Sequence, residues 1–341
     1  MYLYILKFYS ESFMISHQAF EQYTVAFYNL ENLFDPYRDS HIRDDEFTEY
    51  GSREWTEQRY LKKLKKLSDA ISKIATERTG KMPTLIGVAE AENKKVLTDL
   101  VEQPKLKNGR YNFIHFNSPD ERGIDVALLY NEQLFEVITA RPIHVVITDE
   151  DGSPDSTRDI LYVHGKLADC PVHIYVNHWP SRRNGPQASN HKRVAVAQQL
   201  LTHINSIDPA GTRLQTGVFN EQAQHVIVIG DFNDEPHNES INDVLVESGM
   251  ENLMAPLKKY HRGSLNHHFK WSLFDQILIS PSLKNDLANE LYVYTADIFD
   301  DIMLREWKGR YRGHPARTFR GSKYIGGYSD HFPVYTILRR N

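Results

Sequence analysis

The chain has 341 residues with 40 basic and 45 acidic side chains, a formal net charge of -5, and 40% hydrophobic and 25% charged residues. This balance belongs to globular proteins rather than to disordered or fibrous chains, and it supplies no bulk basic field to hold a polyanion. The single cysteine, Cys170, excludes an intrachain disulfide and any thiolate metal cluster, and among Leu167, Ala168 and Val172 it reads as a small buried filler. No stretch reaches the roughly 20 apolar residues needed to cross a bilayer, so integral membrane association is not expected. The apolar run Met1 to Tyr9 is broken by Lys7 and followed by Glu11, which does not make an export signal. A cytoplasmic monomer is the expectation.

Residues 1–22 are expected to form an N-terminal extension and residues 23–341 one domain, because no Gly-, Ser- or Pro-rich linker and no repeat divides them. The first predicted strand spans residues 23–30, where aromatic and β-branched residues run into Asn29. After an acidic, turn-like segment, Trp55, Tyr60, Leu64, Leu67, Ile71 and Ile74 recur at helical spacing, with Thr56 as N-cap and Gly80 as stop. Residues 84–89 form a short apolar strand that delivers Glu90 to its end, before a helix over 93–100 opened by Glu92. Strands are predicted over 111–116, 124–130, 135–147, 160–167 and 172–177, with a loop at 149–156. A helix over 188–204, an exposed excursion over 207–222 and a strand over 225–229 follow. A short helix over 241–248 and strands over 273–279 and 332–338 complete the map. Helices mixed with short parallel and hairpin-like strands argue for an α/β sandwich with helices outside paired sheets. No P-loop and no dinucleotide fingerprint follows a strand.

Several strand ends carry side chains suited to phosphate chemistry. Gly230 to Asp234 ends an apolar strand; a turn is one reading, and aiming Asp231 and Asn233 into one cleft is the other. There the carboxylate would activate water or hold a cation and the amide would grip a phosphoryl oxygen, while Asp234 caps the turn. Ser329, Asp330 and His331 precede the last strand, placing a carboxylate beside an imidazole. Asp275, embedded in an apolar strand, needs a partner, and His331 is the one expected. Glu90 is the expected metal ligand. His178 would donate to a non-bridging oxygen, and Trp179, Arg182, Arg183 and Tyr328 would form a substrate rim; packing of Trp179 against the sheet and of Tyr328 in a turn is the other reading of the two aromatics. Arg122 and Asp125 are expected to form a structural ion pair.

Taken in order, these segments resemble the endonuclease/exonuclease/phosphatase superfamily, in a less specialised bacterial branch. The residues that carry the resemblance are Phe27-Tyr28-Asn29-Leu30-Glu31-Asn32-Leu33-Phe34, Gly87-Val88-Ala89-Glu90, Asn177-His178, Gly230-Asp231-Phe232-Asn233, Asp275, and Gly326-Gly327-Tyr328-Ser329-Asp330-His331-Phe332-Pro333. The resemblance implies an α/β four-layer sandwich, two mixed β-sheets packed face to face with helices outside and the site at one edge. It implies Glu90 as the principal metal acid with Asn29 and Asp330 at or beside the metal shell. Asp231 and Asn233 would align water and phosphate, Asp275 would hold His331, and His178 would contact the phosphate. Mg²⁺ is the implied cofactor, with Mn²⁺ suited to the same oxygen ligands. The implied activity is divalent-metal-dependent phosphate-ester hydrolysis, foremost nuclease-like phosphodiester hydrolysis with DNA or RNA as partner. The alternatives are a phosphatase for a small phosphomonoester, such as a sugar or inositol phosphate, and a noncatalytic binding protein retaining the fold.

Overall fold

The computed structural model describes residues 20–182, 185–207, 224–260, 262–284 and 291–340. Arg183, the expected excursion beyond residue 207 and most of the expected N-terminal extension lie outside them. Twelve strands build two six-stranded sheets, here numbered in chain order. The first five are β1 (Glu21–Leu33), β2 (Leu85–Ala91), β3 (Tyr111–His115), β4 (Asp125–Asn131) and β5 (Phe135–Ile143). Then come β6 (Ile160–Leu167), β7 (Cys170–His178), β8 (His225–Asp231), β9 (Glu251–Asn252), β10 (Asp275–Ile279), β11 (Leu291–Ile298) and β12 (Val334–Arg340). Among the described residues, three helices exceed two turns: α1 (Glu57–Ile71), α2 (Lys94–Val101) and α3 (Asn190–Ile207).

One sheet has the order β11-β12-β1-β2-β4-β3 and the other β9-β10-β8-β7-β6-β5. Each contains one parallel pair, β1 with β2 and β7 with β8, and its other pairings are antiparallel. The sheets face one another across a core that joins Phe27, Val88 and Ala89 to Val176, Ile227 and Ile229. Gly87 permits this approach, since a Cβ there would lie 2.6 Å from Ile229 Cδ1. A second core lies under α3, where Val196, Ala197 and Leu200 cover Tyr175, Val226 and Val228. The helices α1 and α2 bury Tyr60, Leu64, Leu67, Val96 and Leu97 on the other side, which completes a four-layer α/β sandwich.

Local signals account for the helix starts. The Thr56 side chain accepts from Arg59 N, and Asn93, not Glu92, caps α2 by accepting from Val96 N. Glu92 instead accepts from Asp35 N at 2.7 Å. The helix α1 stops at Ile71, and Gly80 closes the separate short turn Thr76–Thr79 with a left-handed φ of 69°. Strand β11 carried no readable alternation. Its pattern of one or two buried residues at each end leaves the middle half exposed, as an edge strand permits.

A cluster of acids and imidazoles at the strand ends

The four parallel strands run the same way within each pair, and their carboxyl ends gather at one edge of the sandwich. Asn29 and Glu90 leave β1 and β2 there, and His178 and Asp231 leave β7 and β8. The antiparallel partners begin where the parallel strands end, so β10 opens with Asp275 opposite Asp231 and the chain entering β12 carries Asp330 and His331. Side chains far apart in sequence therefore meet outside the carboxyl ends of strands, as ligand sites in open α/β sheets do.

Irregular backbone aims them. The β1–β2 ladder shifts register between Asn29 and Leu33, and the β2–β4 ladder between Ala89 and Ala91. Within these bulges Glu31, Asn32 and Glu90 take left-handed φ values of 52°, 51° and 64°, and Asn233 takes 50° beyond β8. Non-glycine residues bear a strain of order 1–3 kcal/mol in such conformations, which tertiary contacts must hold. Here they do so: Asn32 N donates to Glu90 Oε2 at 2.7 Å, and Asn233 N to Asp231 Oδ1 at 3.0 Å.

Asn29 ties the two sheets together. Its Nδ2 donates to Asp231 Oδ2 at 3.0 Å and to Glu90 Oε1 at 3.3 Å, while its Oδ1 accepts from Glu31 N at 2.9 Å. Asn29 thus orients both carboxylates, and its Oδ1, which accepts one hydrogen bond, keeps a second lone pair. The expected Asp275–His331 pair is present, with Oδ2 2.6 Å from Nδ1. His331 Nε2 then lies 3.9 Å from both Asp231 and Asp330. His178 Nε2 lies 3.8 Å from Asp231 Oδ2 and 3.9 Å from Glu90 Oε1. These separations exceed hydrogen-bond length, so the polar atoms converge on a shared point without closing onto one another.

The electrostatics divide the two imidazoles. Burial, reinforced by Arg158 and Arg122, holds His178 well below its usual range, so it is neutral. Burial opposes protonation of His331 too, but Asp275, by charge and hydrogen bond, and then Asp231 and Asp330 hold it well above that range. Asp231 is raised by burial and by Asp275, against the pull of His331. Burial also works against ionisation of Asp330, but His331 and Arg317 keep its carboxyl below the usual range.

Three contributors went unread in the sequence. Glu31 is buried and accepts from the backbone N–H of Thr318; Lys63 Nζ lies 3.9 Å from it and Arg317 Nε 3.8 Å. Lys63 also donates to Thr318 Oγ1 and to the Tyr328 carbonyl, each at 2.6 Å, fastening the loop before β12 to α1. A lysine on the apolar stripe between Tyr60 and Leu67 was the available signal. Arg317 pairs with Asp330, and no local pattern announced it.

Of the expected rim, the described residues Trp179, Arg182 and Tyr328 are each engaged within the protein. Trp179 is 1% exposed, packs edge-on against Phe232 and spends its Nε1 proton on Asn177 Oδ1. Arg182 is drawn inward to Asp234, to Asn238 Oδ1 at 2.6 Å and to the Asn233 carbonyl, with its guanidinium over Phe274. Asp234 is accordingly a buried ion-pair partner, shared with Arg193 Nε at 2.8 Å, and more than a turn cap. The Tyr328 ring packs against the core beneath Lys66 Nζ. Nor do Arg122 and Asp125 pair: Asp125 bonds His115 Nε2 at 3.1 Å and Ser118, and Arg122 faces Asp120 at 3.6 Å.

Residues 24–340 match the family model described as Endonuclease/Exonuclease/phosphatase family. The chain belongs to that family. Its members are phosphoesterase hydrolases, generally dependent on a divalent metal. No curated protein matches the chain significantly. An endonuclease/exonuclease/phosphatase family protein of Bacteroides thetaiotaomicron is similar in structure, with a TM-score of 0.54, 18% identity, and coverage of 94% of this chain and 99% of that one. A mannosyl-6-phosphatase of the same organism gives a TM-score of 0.55 at 17% identity, covering 93% and 99%. TDP2 of D. rerio, complexed with a single-strand DNA product, gives 0.53 at 12% identity, covering 93% and 98%. At such identities the likeness to these structures is one of fold. Among the described residues, no helix is long and apolar enough to cross a membrane.

The donor set suits a hard cation. Asp231, Asp275 and His331 offer ligand atoms within 4.8 Å of one another, but Asp275 and His331 are already bonded together. Asp275 Oδ1 is buried without a hydrogen-bond partner among the described residues, and Glu90 Oε1, with only the long contact from Asn29, and Asp330 Oδ1 are also lightly engaged. Buried carboxylates at this density gain from a divalent cation with oxygen preference.

Proposed function

We propose that this protein hydrolyses a phosphate ester with the help of a divalent cation of the Mg²⁺ type, held by Glu90 and Asp330. The observation that carries this reading is the meeting of Glu90, His178, Asp231 and His331, from the two sheets, with polar atoms 3.8–3.9 Å apart. When bound, the cation supplies charge neutralisation and polarisation of the phosphoryl oxygens. Asp231, raised by burial and oriented by Asn29 and Asn233 N, accepts the proton of the attacking water. Neutral His178 donates Nε2–H to a non-bridging oxygen. Protonated His331, fixed by Asp275, stabilises developing charge and furnishes a proton to the leaving oxygen. Asn233 spends one amide proton on the Trp179 carbonyl at 3.1 Å and keeps a second for the phosphoryl group.

Of the substrate classes, a small phosphomonoester is supported by the inward turn of Trp179 and Arg182, which removes the expected aromatic and cationic track for a polymer, and by the net charge of -5. Nuclease-like phosphodiester hydrolysis is the second reading, supported by the fold shared with TDP2 in its DNA complex. Assays of the full chain on single-strand DNA, RNA, sugar phosphates and inositol phosphates with Mg²⁺, Mn²⁺ or chelator test both. Chelator-sensitive release of inorganic phosphate is expected. Turnover that survives complete chelation would overturn the cation's role, and absence of turnover on every ester would favour a noncatalytic binder.

A further inference from the structure

On the buried face of α1, the apolar run of Tyr60, Leu64, Leu67 and Ile71 is interrupted by a single charge, Lys63, which is 2% exposed. An ammonium taken out of water is costly, and a methionine would fill the same space without that cost. What the ammonium touches is therefore the reason for a lysine here. Its Nζ donates to Thr318 Oγ1 and to the Tyr328 carbonyl, each at 2.6 Å, and lies 3.9 Å from Glu31 Oε2. Burial, joined at Glu31 by the charge of Asp330, presses both Lys63 and Glu31 toward neutrality, and the opposite charge of each resists it in the other.

Two short chains of hydrogen bonds run from this ammonium to the acid cluster. The first passes through Glu31, whose carboxylate accepts from Thr318 N at 2.5 Å and whose own N–H donates to Asn29 Oδ1 at 2.9 Å. Asn29 Nδ2 then donates to Asp231 and Glu90. The left-handed backbone of Glu31, with a φ of 52°, is held in place by these contacts at its side chain and its N–H. The second chain passes through the Tyr328 carbonyl to the turn that follows it. There Ser329 Oγ donates to the Asn29 carbonyl at 2.7 Å and accepts from His331 N at 3.1 Å, with Asp330 between them. Gly327 lets this turn lie against the preceding segment, since a Cβ would stand 1.8 Å from the Ala316 carbonyl oxygen, and Tyr328 N donates to that same oxygen at 2.5 Å. Lys63 itself makes no hydrogen bond to Glu90, Asp231, Asp330 or His331, so it acts on them only through these two chains.

We propose that Lys63, paired with Glu31, is a positioning residue for the hydrolysis: it locks the bulge that aims Asn29 and the turn that carries Asp330 and His331, so that both sides of the cation site are set in place ahead of the cation. This assignment rests on the phosphoesterase reading above. A ligand cluster built from strand ends of two sheets has no rigid element of its own, and an internal ion pair anchored on α1 supplies one.

Full-length wild type is compared with Lys63→Met and with the double variant Lys63→Met/Glu31→Gln, using Mg²⁺ as the cation and p-nitrophenyl phosphate and bis(p-nitrophenyl) phosphate as esters. Lys63→Met alone strands a buried carboxylate and should unfold in less urea than wild type. The double variant removes one positive and one negative charge, which leaves the net charge around the cation site as it was, and its urea midpoint should lie closer to wild type. In the folded double variant kcat should fall roughly 10–10²-fold, and the calorimetric dissociation constant for Mg²⁺ should rise by a similar factor, the usual cost of losing a partner that orients metal ligands. Partial unfolding would scale kcat down but could not shift that constant. The low-field proton resonance of His331 Nδ1–H, bonded to Asp275, reports the turn with neither cation nor ester present, and it should broaden or vanish. Wild-type values of the Mg²⁺ constant and of this resonance in the double variant would overturn the positioning role and leave the pair as a support of the fold alone, with the phosphoesterase reading untouched. Should wild type hydrolyse neither ester, that reading fails by itself, and the Mg²⁺ constant and the resonance still decide the role of Lys63. If the double variant does not fold, Glu31→Gln, which keeps the shape of the side chain, takes its place: a lost resonance and a lowered kcat support the role, and wild-type values of both overturn it.

Discussion

Asp231 receives bonds from Asn29 of the facing sheet and from its own turn at Asn233, and it lies within 4 Å of both imidazoles. Replacing it by Asn keeps the volume and removes the proton acceptor. Asp231→Asn should therefore lower kcat by about 10²–10⁴-fold, the usual worth of a general base, with an unchanged circular dichroism spectrum. Wild-type turnover in the folded variant would remove Asp231 from the reaction. Glu90→Gln addresses the cation instead: the thermal stabilisation that millimolar Mg²⁺ gives the wild type should be lost, a readout independent of turnover. An equal Mg²⁺ shift in both proteins would place the cation elsewhere.

At the scale of elements, the close approach of β7 and β8 depends on Gly230. A Cβ there would stand 2.5 Å from the Asn177 carbonyl oxygen, and backbone cannot swing aside as a side chain can. Gly230→Ala should cost about 1–3 kcal/mol in urea unfolding and lower turnover as well, because His178 and Asp231 end these same strands. Thr56→Ala, which removes only the cap of α1, should cost about 1 kcal/mol and leave kcat alone. On the outer face of β7, His173 lies between Tyr162 OH and Gln224 Oε1, each at 2.8 Å, and burial pushes its pKa down to about 4. The unfolded chain binds that proton at higher pH, near 6.5, than the folded one does. Its contribution is thus fully present above pH 6.5 and is lost as pH falls toward 4. Urea midpoints measured across that window should fall less steeply in His173→Gln than in wild type.

For the whole molecule, the decisive quantity is where charge is placed. With a net charge of -5 and with Arg182 and Arg193 both engaged by buried Asp234, long-range attraction to a polyanion is weak. Fluorescence anisotropy should give oligonucleotide binding no tighter than the roughly 10⁻⁴–10⁻⁶ M typical of non-specific contacts at physiological salt. Nanomolar binding with a steep salt dependence would restore the polymer reading.

The ordered motifs carried the resemblance to the family, and that resemblance implied the four-layer sandwich; the apolar runs ending in Asn29, Glu90, His178 and Asp231 by themselves read as buried strands. The pairing of Asp275 with His331 was also legible, since a carboxylate inside an apolar strand must find a partner. Tertiary structure alone decided the surroundings. Whether Trp179 and Arg182 face a ligand or the interior depends on Phe232, Asp234 and Asn238, which follow more than fifty residues later, and sequence spacing holds no record of that contact. The left-handed turns at Glu31 and Glu90 are set by bulges in long-range ladders rather than by glycine, so no local signal marked them. Likewise Lys63 and Arg317 reach Glu31 only once α1 and the approach to β12 pack beside β1: their roles arise from burial, which a chain acquires by folding.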